Sequence, residues 1–236
     1  MNLLSVNYLI LGLNNYTYFY PKIFNPYCFI FINYLVLYMV INEELLFSSG
    51  GELMHYDTDE AIFNEGDSPR FYFQIITGTV KINNYHEDGR EIIHSVPFDG
   101  HCFAETSIFS NKDYPINAVA MTDCEIIRLE KSKFLNMINS SPELLMNLYT
   151  FTAERMHYRY IMLNNMSAAD PRTKITGLID CFKTYNNFTE PYSYQFPFTR
   201  QQLAAFTGLS VETVIRTVKK MEKEKILKIE TGKILY

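Results

Sequence analysis

The sequence predicts an α+β chain in three parts: a front half of short strands, one long helix, and a closing helix-turn-helix with a β wing. Three observations carry this expectation. Glycine-punctuated runs with alternating apolar residues fill residues 55–130. Near residue 131 the apolar period changes from two to a helical one. Finally, TRQQLAAFTGLSVETVIRTVKKMEKE, residues 199–224, reads as two short capped helices joined by a glycine.

The chain has 236 residues, enough for one large domain or two small ones with a real core. Apolar residues make up 47% and charged residues 20%, so neither disorder nor a fibrous repeat is indicated. The cysteines Cys28, Cys102, Cys124 and Cys181 lie far apart, which argues against a zinc ribbon, a short-spaced iron–sulfur site or a disulfide scaffold. Scattered thiols fit a reducing cytoplasm. The net charge is −5, but it divides unevenly: residues 168–236 carry 11 basic against 7 acidic side chains, a net of +4, and residues 1–167 a net of −9. An acidic front and a basic rear suit a regulatory half and a half that meets a polyanion, with a merely scattered surface charge as the alternative.

Residues 1–45 form an atypical extension. The run NYTYFYPKIFNPYCFIFINYLVLY has Lys22 as its single charge. Its longest apolar part, CFIFINYLVLYMVI, is shorter than the roughly 20 residues a membrane-spanning helix needs. It also lacks a signal peptide's basic start and small-residue cleavage site. The expectation is that translation begins at Met39 and that residues 1–38 are AT-rich upstream DNA read in frame. A weak membrane-surface anchor is the alternative; otherwise no membrane is expected as a partner.

Residues 46–140 are expected to form the β domain. AIFNEGD ends in a turn, and FYFQIITGTVKINNYHEDGREIIHSV alternates about Asp88-Gly89, a hairpin signal. AVAMTDCEIIRLE is a further β-rich run. Strands broken at Gly66, Gly78, Gly89 and Gly100 indicate an all-β sandwich or barrel.

Residues 141–167 read as a single helix, with Ser141 as N-cap and Pro142 at its first position. Leu144, Leu148, Phe151, Tyr158, Met162 and Met166 fall on one stripe, with Arg155 filling its one gap. A parallel dimer seam is the preferred partner for that stripe; burial against the chain's own β domain is the alternative.

Residues 168–236 form the last unit. Asp170 and Pro171 cap and start a helix, and the polar loop KTYNNFTEPYSYQ follows. Thr199 and Gln202 make a capping box. Leu203 and Phe206 supply the first helix's apolar side, Gly208 reverses the chain, and Ser210 caps a second helix. That helix turns Val214 and Val218 inward and Glu212, Arg216, Lys219 and Lys220 outward. ILKIETGKILY adds two strands about Thr231-Gly232 as a wing. A helical hairpin without nucleic acid is the bland alternative.

The order of parts, with IFNEGD, ITGTVKI, FDGHCFAETSIFS and TRQQLAAFTGLSVETVIR, resembles the Crp/Fnr superfamily of bacterial transcription regulators over residues 60–236. The resemblance implies a cyclic-nucleotide-binding-like β jelly-roll sensor, a long dimerisation helix and a winged helix-turn-helix that binds double-stranded DNA as a homodimer. It also implies RNA polymerase as a further partner. Val211 before the glutamate places the recognition helix nearest the Fnr branch. In the family, a pair matching Glu212 and Arg216, four residues apart on one helix face, reads one G·C pair. The guanidinium forks onto guanine O6 and N7 while the carboxylate accepts from cytosine N4. Val211 is placed to touch a thymine methyl, and Ile215 stands where Fnr carries Ser. Thr199, Arg200, Ser210, Thr213 and Lys219 match phosphate-contacting positions. An intrahelical salt bridge is the structural alternative for Glu212 and Arg216.

The effector pocket of cyclic-nucleotide members maps to Phe103, Ala104, Glu105, Ile116 and Asn117. Those members carry Gly before the glutamate and an Arg for the cyclic phosphate, and Ile116 stands in place of that Arg. A buried phosphodiester without a cation would lose charge-assisted hydrogen bonds, so binding of cyclic AMP is not expected, and the small-molecule effector stays unidentified. Glu105 is then expected to satisfy a cap or turn. No cofactor or metal is expected, since Cys28 stands alone and the histidines are isolated. The alternative function is a ligand-binding signalling module acting through protein partners, with a weakened DNA-binding domain. No Walker loop, nucleophile elbow, zincin motif or carboxylate pair points to an enzyme.

Overall fold

A computed structural model describes residues 39–186 and 188–236; the expectation for residues 1–38 lies outside them. Two four-stranded antiparallel sheets form the front domain. The first has the order β1-β8-β3-β6, from Glu52–Tyr56 (β1), Cys124–Glu130 (β8), Phe71–Thr77 (β3) and Cys102–Phe103 (β6). The second has the order β2-β7-β4-β5, from Ala61–Phe63 (β2), Asn117–Ala120 (β7), Val80–Tyr85 (β4) and Glu91–Ser95 (β5). Phe63, Phe73, Ile75, Val80, Ile82, Phe103, Ala118 and Ile126 fill the space between them. The strand β3 is buried along both faces, which is why FYFQIIT does not alternate with polar residues. The turn into β4 needs Gly78, at φ 107°, because a Cβ there would lie 2.6 Å from Asp123 O and Cys124 Sγ. At the other hairpin Gly89 has φ 80°, as Asp88-Gly89 predicts.

The outer face of the first sheet forms a second core. Tyr72, Ile127 and Leu129 meet Phe134 and Ile138 of Lys131–Asn139 (α3), together with Leu46 of Glu43–Ser48 (α1). Val40 and Ile41 belong to the same core. The Gln74 side chain, fully buried, donates to Ile41 O (2.7 Å) and accepts from Ile41 N (3.0 Å) and Tyr72 Oη (2.7 Å). Val40 and Ile41 therefore take part in the sensor's packing, ahead of the boundary expected at residue 46. A six-residue helix with only Leu46 buried carries too little periodicity to announce itself.

The long helix is Pro142–Met166 (α4), with the Ser141 hydroxyl accepting from Leu144 N as its cap. Much of its apolar stripe packs on the chain's own cores. Leu148 is buried, Leu144 and Phe151 pack on the core of α1 and α3, and Met162 packs on the core of the C-terminal unit. The preferred dimer role for that stripe is thus corrected: α4 spends it on its own chain, the alternative weighed above. The opposite face is left open, with Met146, Tyr149, Met156, Tyr160 and Leu163 between 46 and 67% exposed. With Ala153 these residues repeat at steps of three and four, the spacing of a coiled-coil seam.

The C-terminal unit comprises Pro171–Tyr185 (α5), Arg200–Thr207 (α6), Val211–Lys223 (α7) and a three-stranded sheet. The wing strands Lys228–Glu230 (β10) and Lys233–Leu235 (β11) are joined by Gln195–Phe196 (β9), a two-residue strand hidden in the polar loop. Ile175, Phe196, Phe198, Phe206, Val214, Val218 and Ile234 form its core, and Ile93 and Phe98 of the β domain belong to the same cluster. The two units therefore share one apolar junction, along β5 and α6. No helix of the described residues is long and apolar enough to cross a membrane.

Candidate nucleic-acid interface

The two helices of the C-terminal motif are fixed by their own caps. Thr199 Oγ1 accepts from Gln202 N (3.1 Å) and Gln202 Oε1 accepts from Thr199 N (2.9 Å), the reciprocal capping box. Gly208 ends α6 at φ 67°, the left-handed conformation that favours glycine. Ser210 Oγ accepts from Thr213 N (3.2 Å) and lies 3.0 Å from Thr213 Oγ1, to which it donates. Thr213 accepts that bond and keeps its own hydroxyl proton for an outside acceptor.

Helix α7 divides cleanly. Val214, Val218 and Met221 are buried, while Glu212, Ile215, Arg216, Lys219 and Lys220 are exposed. Val211 is half-buried against the core, so part of it remains at the surface beside Glu212. Among the described residues, no ion pair or hydrogen bond ties the side chain of Glu212 or of Arg216. The intrahelical salt bridge weighed from sequence is not made. Lys219 and Lys220 likewise enter no ion pair among the described residues, whereas Arg172 is held by Glu224 at 2.8 Å. Arg200 is half-buried, and burial lowers its guanidinium below the ordinary value, partly offset by Glu222. The resulting surface offers forked donors, an acceptor, point charges and the free N–H groups of a helix start, the set that a nucleic-acid duplex can use.

The sequence-derived effector residues lie elsewhere and do not all converge. Phe103 stacks on Phe73 (5.4 Å between rings) and Phe63 on Tyr114 (3.9 Å), so aromatic side chains occupy the sandwich interior; Ile116 packs against them. Ala104 stands at φ 59°, a left-handed position where glycine is favoured. Asn117 is turned to the backbone, accepting from Glu65 N (2.9 Å) and donating to Asn83 O (3.2 Å). Glu105 opens Glu105–Ser110 (α2) and is 1% exposed, yet it caps neither helix nor turn. Its carboxylate accepts from Thr152 Oγ1 and Arg155 Nη1, each at 3.1 Å, and both donors belong to α4. That corrects the cap-or-turn expectation. For Arg155, burial pulls the guanidinium down, and Glu105 together with Cys102 and Tyr72 more than offsets it, leaving it above the ordinary value. Sequence reasoning noted Arg155 in the one gap of the apolar stripe but gave it no partner; a cation at that place was the available signal.

Comparison with known proteins agrees with this division. Residues 53–141 match the cyclic nucleotide-binding domain and residues 178–235 the Crp-like helix-turn-helix domain. The chain is 26% identical over 183 residues to the cAMP-activated global transcriptional regulator CRP of Pasteurella multocida, covering 77% of this chain and 88% of that protein. It is also 26% identical over 180 residues to the cAMP-activated global transcriptional regulator Vfr of Pseudomonas aeruginosa, covering 74% and 84%. Among solved structures it resembles the c-di-GMP responsive global regulator CLP of Xanthomonas campestris (TM-score 0.69, 19% identity, 80% of this chain and 95% of that one). A CooA variant from Carboxydothermus hydrogenoformans is similar in fold (TM-score 0.70, 14% identity, 82% and 85%). With a cyclic nucleotide-binding domain followed by a Crp-like helix-turn-helix, this chain belongs to the Crp/Fnr superfamily of DNA-binding transcription regulators.

Proposed function

We propose that the protein is a cytoplasmic homodimer that reads a palindromic DNA site through Glu212 and Arg216 and does not respond to cyclic AMP. The observation that carries the reading is the state of those two side chains: exposed, four residues apart on α7, and committed to no partner among the described residues. Arg216 takes guanine O6 and N7, Glu212 accepts from the paired cytosine, and Val211 adds contact with a thymine methyl. Thr199, Arg200, Ser210, Thr213 and Lys219 hold the phosphates and fix the register. The recognition helix follows the Fnr pattern at Val211.

Dimerisation uses the open face of α4, where Met146, Tyr149, Ala153, Met156, Tyr160 and Leu163 keep coiled-coil spacing. Two copies then present recognition helices to half-sites about 34 Å apart, one turn of duplex. Insensitivity to cyclic AMP is supported by Ile116, which packs with the aromatic cluster, and by Arg155, whose charge Glu105 already engages. RNA polymerase is the partner through which such a dimer would act.

Selection of bound sites from random duplex DNA, with and without cyclic AMP, tests the proposal. A palindrome with one G·C pair per half-site at one-turn spacing, recovered equally in both arms, is the expected result. Enrichment only with cyclic AMP overturns the sensor reading, and no enrichment in either arm overturns the DNA-reading assignment.

A further inference from the structure

A cavity of about 170 Å³ lies where the sensor, the long helix and the reader meet. Its walls are largely apolar: Val96 and Pro97 beyond β5, Phe151 and Met162 of α4, Phe182 of α5 and Phe206 of α6. An apolar cavity of about 150 Å³ holds one benzene ring, so this one suits a single ring or a short branched chain. None of the five family effector positions lines it.

Two arginines one helical turn apart also line the cavity, and they are in different states. Arg155 is committed, its Nη1 donating to Glu105 Oε2 and to Cys102 O at 3.1 Å each. Arg159 forms no ion pair or hydrogen bond among the described residues. Its side chain is exposed at the cavity's edge, where partial burial, and then the charge of Arg155, lowers its guanidinium below the ordinary value against the opposing charge of Glu105. Glu105, engaged with Arg155, acts on Arg159 only as a more distant opposite charge, and among the described residues no carboxylate pairs with it directly. Glu154 is exposed and pairs with neither arginine, while His94 is lowered by burial and then by Arg159, and His101 is held neutral at about 3. In the proposed dimer the α4 positions flanking the seam beside Arg159 carry His157 and Asn164, so a second copy brings no carboxylate to it.

We propose that this cavity is an effector site for a small monocarboxylate bearing one ring or a short alkyl chain. The carboxylate sits on Arg159 and the apolar body among Phe151, Phe182 and Phe206. The inference deepens the regulator reading and rests on it for its consequence. Because the walls come from both units, an occupant bears on the junction where Ile93 and Phe98 share a core with α6. A ligand that favours one arrangement of that junction shifts DNA affinity by the same free energy that the junction gives the ligand.

Calorimetric titration of the full chain without DNA tests the site, using benzoate and its uncharged analogue benzyl alcohol as probes. Benzoate is expected to bind about tenfold or more tightly than benzyl alcohol. Arg159→Gln should erase that preference, and Met162→Trp, which fills the cavity, should abolish binding of both probes. If Met162→Trp fails to fold by circular dichroism, Cys181→Leu makes the same test. Equal affinity for the two probes, undiminished benzoate binding in Arg159→Gln or in the filled variant, or no binding of either probe would each overturn the proposal. Since the titration contains no DNA, failure of the DNA-reading assignment would leave its result untouched.

Discussion

Two glutamate–arginine pairs in this chain show how one chemistry serves opposite ends. Glu105 and Arg155 come from elements 50 residues apart, and they meet at 3.1 Å with the carboxylate 1% exposed. Glu212 and Arg216 are four residues apart on one helix, with every opportunity to pair, and they do not. The first pair joins the sensor to α4, so its charges are consumed by architecture. The second has unspent hydrogen-bonding capacity in a surface that two capped helices hold still. A recognition group must arrive at its ligand unsatisfied, and a joint must not.

The largest effect should come from breaking the joint. Arg155→Ala leaves Glu105 buried without its cation, a change that costs about 3–5 kcal/mol where both charges are deep. The arginine side chain is 27% exposed, so the lower end is expected, about 3 kcal/mol by denaturant titration. Replacing both partners by apolar residues of similar volume should recover most of that loss, because the uncompensated charge is then gone.

A second prediction concerns the same corner through pH. His101 lies against Phe98 and Phe151 and beside Arg155; burial first, and that cation second, push its imidazole to about 3. The unfolded chain takes up the proton near pH 6.5. Between those values the unfolded state binds more protons, so this contribution is complete above about pH 6.5 and is lost as pH falls. Going from pH 6 to pH 4 should cost on the order of 2 kcal/mol through this residue. His101→Asn should flatten that part of the unfolding midpoint's pH profile, and an unchanged slope would remove His101 from the account.

Breaking the other pair should leave stability nearly untouched. Arg216→Ala is expected to lose about 1–3 kcal/mol of discrimination at one G·C pair. Lys219→Ala should weaken all sequences alike and reduce the salt slope by about one. Competition binding on single-base variants of the selected site, repeated over a salt series, separates the two. Equal, sequence-independent losses would merge their roles.

The difference between the pairs also explains what could be read from residue order alone. The capping box of α6, the Ser210 cap, Gly208 and the alternation of α7 are local, and Thr199, Ser210, Val214 and Val218 stand where their spacing put them. Glu105 with Arg155 is a contact across 50 positions, and no local rule reaches it. The stripe on α4 shows the same limit. Its period was legible, but whether Leu148 and Met162 met a second copy or their own chain depended on tertiary packing, and the packing chose the latter. The strand β9 escaped notice because two residues carry no period. The place of Val40 and Ile41 in the sensor's core was obscured because the helix that follows them has only six residues and one buried side chain.

The smallest expected effect separates a cap from a contact at Thr199, which has both roles. Its Oγ1 accepts from Gln202 N, and its hydroxyl proton is left for a phosphate oxygen. Thr199→Ala removes both and should cost about 1 kcal/mol of stability as well as some affinity for every DNA sequence. Thr199→Asp keeps a good N-cap acceptor, so stability should stay within a few tenths of a kcal/mol of the wild type. It also sets a negative charge against the duplex, so DNA affinity should fall further than in Thr199→Ala, most steeply at low salt. Unfolding curves and binding isotherms on the two variants make the division. If Thr199→Asp matched the wild type in both, Thr199 would be a cap alone, and the phosphate contact at the start of α6 would fall to Arg200.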